Sequence, residues 1–185
     1  GVLFTNNSDY GVLRNFSISD DNSDYFAGVG VADSNNVIVE QGVIERASIG
    51  IGVSGITSND TVIRNIRMTR ILQIGVNTGR GVVISQANNV QVTNVNISGA
   101  GAGGVIGVSV VGDALNARIG NVHVSNFATG YHLGLGANTT VIDLGGNTFT
   151  ANGMQSACDG MNDISAMSGP LNVTTTNNGT VALCR

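Results

Sequence analysis

One short motif, an Asn set between two runs of alternating apolar residues, recurs along most of the chain. Its clearest copy is TVIRNIRM (Thr61–Met68), in which Val62, Ile66 and Met68 are predicted to share one face. The other copies are GVLRNFSI (Gly11–Ile18), NVQVTNVNI (Asn89–Ile97) and ARIGNVHV (Ala117–Val124), with weaker ones at Val37–Ile44 and Val141–Phe149. The pivotal residues are Asn15, Gly42, Asn65, Asn94, Asn121 and Asn147, at steps of 23 to 29 residues. Self-similarity at such a period indicates a solenoid.

A second strand in each repeat begins with Gly and continues with residues that suit pleated, stacked strands. Its copies are GVGV (Gly28–Val31), GIGV (Gly50–Val53), GVVI (Gly81–Ile84), GVSV (Gly107–Val110) and GYHL (Gly130–Leu133). An Asn-rich corner follows each copy, at Ser34–Asn36, Ser58–Asp60, Ala87–Asn89, Leu115–Ala117 and Ala137–Thr139. Asn and Asp tolerate left-handed backbone conformations, which suits a corner repeated in every coil. The pattern therefore predicts an all-β protein, a parallel β-helix.

Other classes fit this composition poorly. Helical repeats are excluded because amphipathic helical runs are absent and Gly (27 residues) and β-branched residues dominate, and a leucine-rich repeat would need its Leu signature. The net charge of −4 argues against a nucleic-acid partner, since such proteins carry basic surfaces. No apolar run has the length of a membrane span, so no membrane insertion is expected.

The segment 156–185 breaks the period, which divides the chain into β-helix coils (1–155) and a C-terminal cap (156–185). Within the cap, LNVTTTNNGTVALC predicts a hairpin turning at Asn178–Gly179. Cys158 and Cys184 both lie in this segment, where a disulfide would staple the cap and imply an oxidising compartment. The alternative is a pair of free, buried thiols.

The cadence xVxxNVxI…GIxV…SNNV resembles the right-handed parallel β-helix proteins of the pectate-lyase-like superfamily. The resemblance covers roughly Gly11 to Gly153. It implies a right-handed, single-stranded parallel β-helix of about five to six coils. That superfamily includes secreted polysaccharide lyases and hydrolases, mannuronan epimerases and phage tailspike depolymerases. The resemblance therefore implies an extracellular location, secreted or on a virion surface, and a polysaccharide partner. Many members begin with a capping helix, which nothing here matches, so we interpret the chain as a fragment.

The connections between first and second strands vary in length from coil to coil. The first (Ser19–Ala27) is long and acidic, the next (Glu45–Ser48) is short, and the third (Thr69–Gly81) is long again. Because coils stack, two long loops would flank a short one and form a trough with Glu45 and Arg46 at its floor. The alternative is simple drift in loop length, which surface loops tolerate.

Hydrolysis of a glycosidic bond needs a pair of carboxylates. The chain has two Glu residues, Glu40 and Glu45, and an acidic cluster at Asp20, Asp21 and Asp24. We predict Glu45 as acid or base, paired with one of these Asp residues across the trough, and Asp24 as a substrate-binding residue on its wall. Ordinary solvated loop charge is the alternative interpretation.

Lyase or epimerase chemistry on uronates needs a base for the proton beside the carboxyl group and cations for the developing anion. Arg46, Arg67 and Arg70 lie within two coils of one another, and Tyr25 is nearby as a candidate base or acid. Arg binds a carboxylate through two hydrogen bonds and keeps its proton. These arginines are therefore predicted as catalytic or substrate-binding residues, with Tyr25 on the wall of the trough.

Polar residues also occupy equivalent places in successive coils. Ser17, Arg67, Asn96 and His123 are predicted to form one outward column that holds a sugar chain, or that is simply a solvated sheet face. No metal is expected at His123 or His132, since neither has ligands at suitable spacing. The DxNxD pattern at residues 20–24 copies the start of a calcium loop, but Tyr25 stands where that loop needs Gly. We therefore expect no cofactor, and a calcium ion at residues 20–24 is the alternative.

A non-catalytic role in a fibre or surface protein is the competing function. Low charge and the small outward residues Gly30, Gly52 and Ser109 would suit packing of one rod on another, as in a homotrimer.

Overall fold

The computed structural model describes residues 1–19, 27–73, 79–100, 105–133, 139, 141–150, 152, 154–158, 174–175 and 180–181. For residues 133, 149 and those from 154 onward it describes the backbone alone. Throughout these ranges the protein is all-β, and parallel strands form a β-solenoid of about five turns. The same ranges contain no helix with the length and hydropathy of a membrane span.

The described part of the chain forms sixteen strands. They are β1 (Val2–Phe4), β2 (Val12–Ser19), β3 (Ala27–Ala32), β4 (Ile38–Glu45), β5 (Ile49–Ser54), β6 (Val62–Ile71), β7 (Arg80–Ser85), β8 (Gln91–Gly99), β9 (Ile106–Val111), β10 (Ala117–Ser125), β11 (Thr129–Leu133), β12 (Val141–Gly145), β13 (Thr148–Thr150), β14 (Met154–Cys158), β15 (Thr174–Thr175) and β16 (Thr180–Val181).

Each turn of the solenoid supplies strands to two parallel sheets. The long-strand sheet has the order β15-β13-β10-β8-β6-β4-β2, with β12 also paired to β10. The short-strand sheet has the order β1-β3-β5-β7-β9-β11-β14-β16. Because every strand pairs with its counterpart one turn away, equivalent residues of successive turns lie about 4.8 Å apart along the axis.

A left-handed residue bends every long strand from β2 to β10. It is Asn15, Gln41, Asn65, Asn94 or Asn121, with φ between +52° and +56°. The bend restarts the alternation of side chains, so that Ile63 and Ile66 in β6 are both buried although they are three residues apart. Val62 therefore lies on the outer face and Ile63 on the inner one, which corrects the predicted face of Val62.

The weak copies of the motif need a one-residue correction. In β4 the register places Gly42 beside Phe16 and Ile66, so the bend residue opposite Asn65 is Gln41. Gly42 instead occupies the core column, where a Cβ would clash with the ring of Phe16. The large ring in one turn is thus accommodated by a glycine in the next.

The same shift occurs at the end of β12. Gly146, with φ +73°, lies opposite Asn121. Asn147 lies opposite Val122 in the core column and is buried. Its side chain accepts the Val122 N–H at 2.9 Å and donates to the Ile119 carbonyl at 3.1 Å, so it satisfies backbone groups of β10.

Aliphatic side chains from both sheets fill one continuous core. Short strands contribute alternate residues, whereas the long strands contribute residues from both sides of the bend, such as Val92 before it and Val95 and Ile97 after it in β8. The largest fully buried side chains are Tyr131, Ile44, Ile51, Ile63, Ile66, Met68, Ile71, Ile84, Ile97 and Ile119.

The Gly at the start of each short strand has a packing role. A Cβ at Gly50 would clash with Met68 Sδ and lie 2.5 Å from the Gly81 carbonyl oxygen of the next turn. Equivalent contacts recur at Gly28, Gly81 and Gly107. A core residue after the bend of each long strand from β4 to β10 therefore packs directly against the backbone of the preceding short strand.

A ladder of side-chain hydrogen bonds fixes the corner that leads into the long strands. Asp9 accepts the backbone N–H of Asn35, Asn35 that of Asn59, Asn59 that of Asn88, and Asn88 that of Leu115, at 2.7 to 3.2 Å. The repeated Asn predicted this corner. The chemical reason is that each side-chain oxygen accepts a backbone N–H of the next turn along the chain and so satisfies that donor.

The described parts of the C-terminal segment extend the two sheets. Strand β15 pairs in parallel with β13, and β16 pairs in parallel with β14. The Asn178–Gly179 turn and Cys184 lie outside the described residues, as does the side chain of Cys158. The cap and its disulfide stay predictions.

Replacing Gly50 by Ala is expected to destabilise the protein by about 1–3 kcal/mol, because the new methyl group overpacks the contact with Met68 and Gly81. The matched control is Gly52→Ala, two residues along the same strand, where a Cβ meets nothing nearer than 3.9 Å. Urea unfolding measures both variants. Equal stability of G50A and G52A would contradict this account of the glycine.

Replacing Thr61 by Val is expected to stabilise the protein by about 1 kcal/mol. Thr61 is fully buried, and its hydroxyl has no hydrogen-bond partner among the residues that the structure describes. The equivalent positions one turn before and after are Val37 and Val90, both fully buried. Valine therefore fits the site and removes an unsatisfied polar group. A lower urea midpoint for T61V would show that the hydroxyl is satisfied in solution.

Candidate functional site

The part of the long-strand sheet that follows the bend carries a polar column on its outer face. The register aligns Ser17, Val43, Arg67, Asn96, His123 and Thr148 in successive turns. This confirms the column predicted from the sequence and inserts Val43 into it.

Two adjoining depressions follow this column. The narrower, of about 190 Å³, is lined by Arg67, Met68, Thr69, Asn96, Ile97, Ser98, His123, Val124, Ser125 and Thr150. The wider, of about 520 Å³, is lined by Gln41, Gly42, Val43, Asn65, Ile66, Arg67, Asn94 and Asn96. We call the two together the outer groove. Arg67 and Asn96 line both depressions, so the two depressions adjoin at these side chains.

Arg67 differs from its neighbouring arginines in its charge environment. Arg14 and Arg64 are both bound to Glu40, and Arg70 lies 3.6 Å from Glu45. The side chain of Arg67 forms no hydrogen bond or ion pair with any described residue. Its guanidinium is exposed at the centre of the outer groove. It is therefore available to bind an anionic ligand through two parallel hydrogen bonds.

Glu40 is the centre of a charge ladder on the outer face before the bend. It accepts hydrogen bonds from Arg14 of the previous turn and from Arg64 of the next, the latter at 2.6 Å. Its own side chain is only 5% exposed, because the two arginines cover it. The Arg64 hydrogen bond, supported by Arg14, holds the pKa of the Glu40 carboxyl below its ordinary value although desolvation opposes this. Glu40 is thus an ionised structural residue.

His123 extends the groove beyond Asn96. Its Nδ1 lies 2.5 Å from Thr148 Oγ1, which orients the ring. The other ring nitrogen, Nε2, forms no hydrogen bond with a described residue. The side-chain amide of Asn96 forms none either. Three successive turns therefore present a guanidinium, an amide and an imidazole nitrogen with unused hydrogen-bonding capacity.

The predicted trough residues lie beside the outer groove. Glu45 follows in the next outward position of β4 and ends that strand, and Arg46, with φ +57°, lies at the corner directly after it. Arg70 reaches Glu45 from the following turn. Asp24 and Tyr25, as well as residues 74–78 of the third connection, lie outside the described residues. The trough itself and its wall stay predictions.

Sequence reasoning missed part of this groove. The repeat predicts Asn65 and Asn94 only as pivots and gives Gln41 no role, yet all three residues line the wider depression. The hydroxyls of Thr69, Ser98, Ser125 and Thr150 likewise line the narrower one. Aligning the repeats by register, rather than by the nearest Asn, is the signal that would have found them.

Among the described residues, no group of three or more His, Cys, Asp and Glu side chains converges on one point. The DxNxD pattern considered for calcium lies at residues 20–24, outside the described ranges.

Comparison with protein-family models, with curated proteins and with solved structures finds no match to this chain. The fold and the groove's chemistry therefore carry the functional argument.

Replacing Glu40 by Gln is expected to lower the melting temperature at neutral pH, because two arginines then lose their carboxylate. The pKa of Glu40 is lowered in the folded protein, so its contribution is full above the ordinary value of 4.5 and is lost as the pH falls through the folded value. The difference in melting temperature between wild type and E40Q should therefore disappear in acid. Thermal unfolding over a pH series measures it.

The matched control is Glu45→Gln, since Glu45 is 44% exposed and its ion pair with Arg70 is long. Exposed pairs of this kind contribute little to stability. A difference between wild type and E40Q that persists unchanged in acid would contradict the role given to the Glu40 carboxylate.

Proposed function

We propose that this chain is an extracellular polysaccharide-binding β-solenoid that holds an acidic polymer along the outer groove. One observation carries the proposal: Arg67, Asn96 and His123 present unused hydrogen-bonding groups on three successive turns. The parallel β-solenoid is compatible with the pectate-lyase-like superfamily, and membership of that superfamily is part of the proposal.

The spacing of the turns suits an extended carbohydrate. Successive side chains repeat every ~4.8 Å, close to the length of one pyranose residue along an extended chain. Amide, hydroxyl and imidazole groups can exchange hydrogen bonds with sugar hydroxyls. A guanidinium can bind the carboxylate of a uronate, which supports the choice of an acidic polymer.

Degradation of the bound polymer is the catalytic form of this proposal. In an elimination, a base removes the proton beside the uronate carboxyl group, a carbon–carbon double bond forms, and the glycosidic oxygen leaves with a proton. Arg67 would neutralise the carboxylate, with Arg46 as a second cation and Glu45 as the acid or base. In a hydrolase, Glu45 would instead work with a second carboxylate, for which Asp24 is the candidate.

A structural role in a fibre or adhesin is the second candidate. It is favoured by open surface on the outer face of the short-strand sheet, where no atom lies nearer than 3.9 Å to a Cβ position at Gly52 and where Leu3 is 65% exposed. Such a surface suits the packing of a second rod, as in a homotrimer. Light scattering of the purified chain tests this: a trimer favours the fibre or tailspike form, and a monomer contradicts packing of rods.

Incubation with a panel of acidic and neutral polysaccharides tests the catalytic form. Ultraviolet absorbance reports unsaturated uronate, and a colour assay reports new reducing ends. A rise of both indicates a lyase and gives the arginines the main role, whereas reducing ends alone indicate a hydrolase and give it to the carboxylates. Binding without either signal leaves a non-catalytic carbohydrate-binding protein.

Replacing Arg67 by Ala is expected to weaken binding of acidic polysaccharide by about tenfold or more, because it removes a charge-assisted, paired hydrogen bond. The matched control is Arg118→Ala, an exposed arginine of the same sheet outside both depressions. Affinity electrophoresis or calorimetry measures both variants. Equal loss in R67A and R118A would show that binding responds to net charge and not to the groove.

A further inference from the structure

The wider depression of the outer groove contains an apolar patch in polar surroundings. Val43 interrupts the column of Ser17, Arg67 and Asn96, and its side chain is 38% exposed. It lies one turn from Arg67, about 4.8 Å along the axis. Hydroxyl and carboxylate groups do not complement this apolar side chain, which an apolar group of the ligand would cover.

Open amide groups lie beside the patch. Asn121 Nδ2 donates to Asn94 Oδ1 at 2.6 Å, so the bend residues can form an amide ladder along the axis. The ladder ends there: Asn94 Nδ2 and the side chains of Asn65 and Gln41 form no hydrogen bond with a described residue. All three residues line the wider depression. Their side-chain amides can donate and accept hydrogen bonds along the solenoid axis, as Asn121 does toward Asn94.

An acetamido group matches both features. Its N–H and carbonyl can exchange hydrogen bonds with Asn94 and Asn65 as another amide does. Its methyl group can cover Val43, which removes apolar surface from water. A carboxylate on the next sugar would then reach Arg67, one turn further along.

We infer that the wider depression is a subsite for an N-acetylated sugar, and that the polymer alternates or combines such sugars with acidic ones. This inference rests on the proposed polysaccharide function and names its substrate class. It separates acidic polymers that carry acetamido groups from those, such as polygalacturonate, that do not.

The first test compares two sets of acidic polymers by affinity electrophoresis. One set carries acetamido groups (hyaluronan, unsulfated chondroitin, heparosan and polysialic acid), and the other lacks them (polygalacturonate and alginate). The expected result is that the tightest binder belongs to the first set. Tightest binding within the second set overturns the inference but keeps the proposed function, whereas binding of neither set overturns both.

The second test isolates the methyl group. The tightest acetamido polymer is de-N-acetylated and re-acylated with formyl groups, so that it keeps the amide and loses the methyl. The Val43→Ser variant is expected to bind the acetylated polymer about fourfold more weakly, the value of one buried methyl-sized contact. It should bind the formylated polymer as the wild type does.

The matched control is Val12→Ser, on the same sheet and 53% exposed but outside both depressions. Thermal unfolding verifies that both variants are folded. Equal affinities of V43S and V12S for the acetylated polymer, or a loss of V43S affinity that is the same for both polymers, would overturn the assignment of the methyl group to Val43.

Discussion

A single left-handed residue in each long strand determines both the interior and the outer surface of this solenoid. At Asn15, Gln41, Asn65, Asn94 and Asn121 the backbone takes φ near +55°, a conformation that Asn accepts more readily than other residues with a side chain. The bend restarts the inward-outward alternation, so both halves of the strand bury aliphatic side chains. It also turns the amides outward, beside the column that contains Arg67. Packing and surface chemistry therefore share one backbone constraint.

The arginines of the long-strand sheet divide between stability and binding. Before the bend, Arg14 and Arg64 enclose Glu40. The pKa of that carboxyl is held low because Arg64 and Arg14, from the two adjacent turns, donate hydrogen bonds to the carboxylate. After the bend, Arg67 stands in the outer groove with no such partner among the described residues. A partnered cation joins turns of the solenoid, whereas an unpartnered one is free to bind a ligand.

The architecture could be predicted from the sequence because the repeat is visible in single residues: the bend Asn, the Gly that begins each short strand, and the corner Asn. The register of the weaker copies, in β4 and after β12, was predicted one residue off. The repeat predicts Gly42 and Asn147 as pivots, but the ring of Phe16 occupies the space at Gly42, and Asn147 is a buried hydrogen-bonding residue. A one-residue shift exchanges inner and outer positions. The Arg67 column could be predicted because its members follow the bend Asn at the same distance in the clear copies of the motif. The amides of the bend residues were missed because Gln41 joins them only in the correct register. The pairing of Glu40 with two arginines from other turns also required the register.

A crystal structure of the protein with a bound acidic oligosaccharide tests the central claim most directly. We predict a sugar chain that runs along the solenoid axis over the long-strand sheet, with a carboxylate within hydrogen-bond distance of the Arg67 guanidinium and hydroxyls hydrogen-bonded to Asn96 and His123. A sugar chain bound on the short-strand sheet, or held at the corner around Arg46 without contact to Arg67, would contradict it.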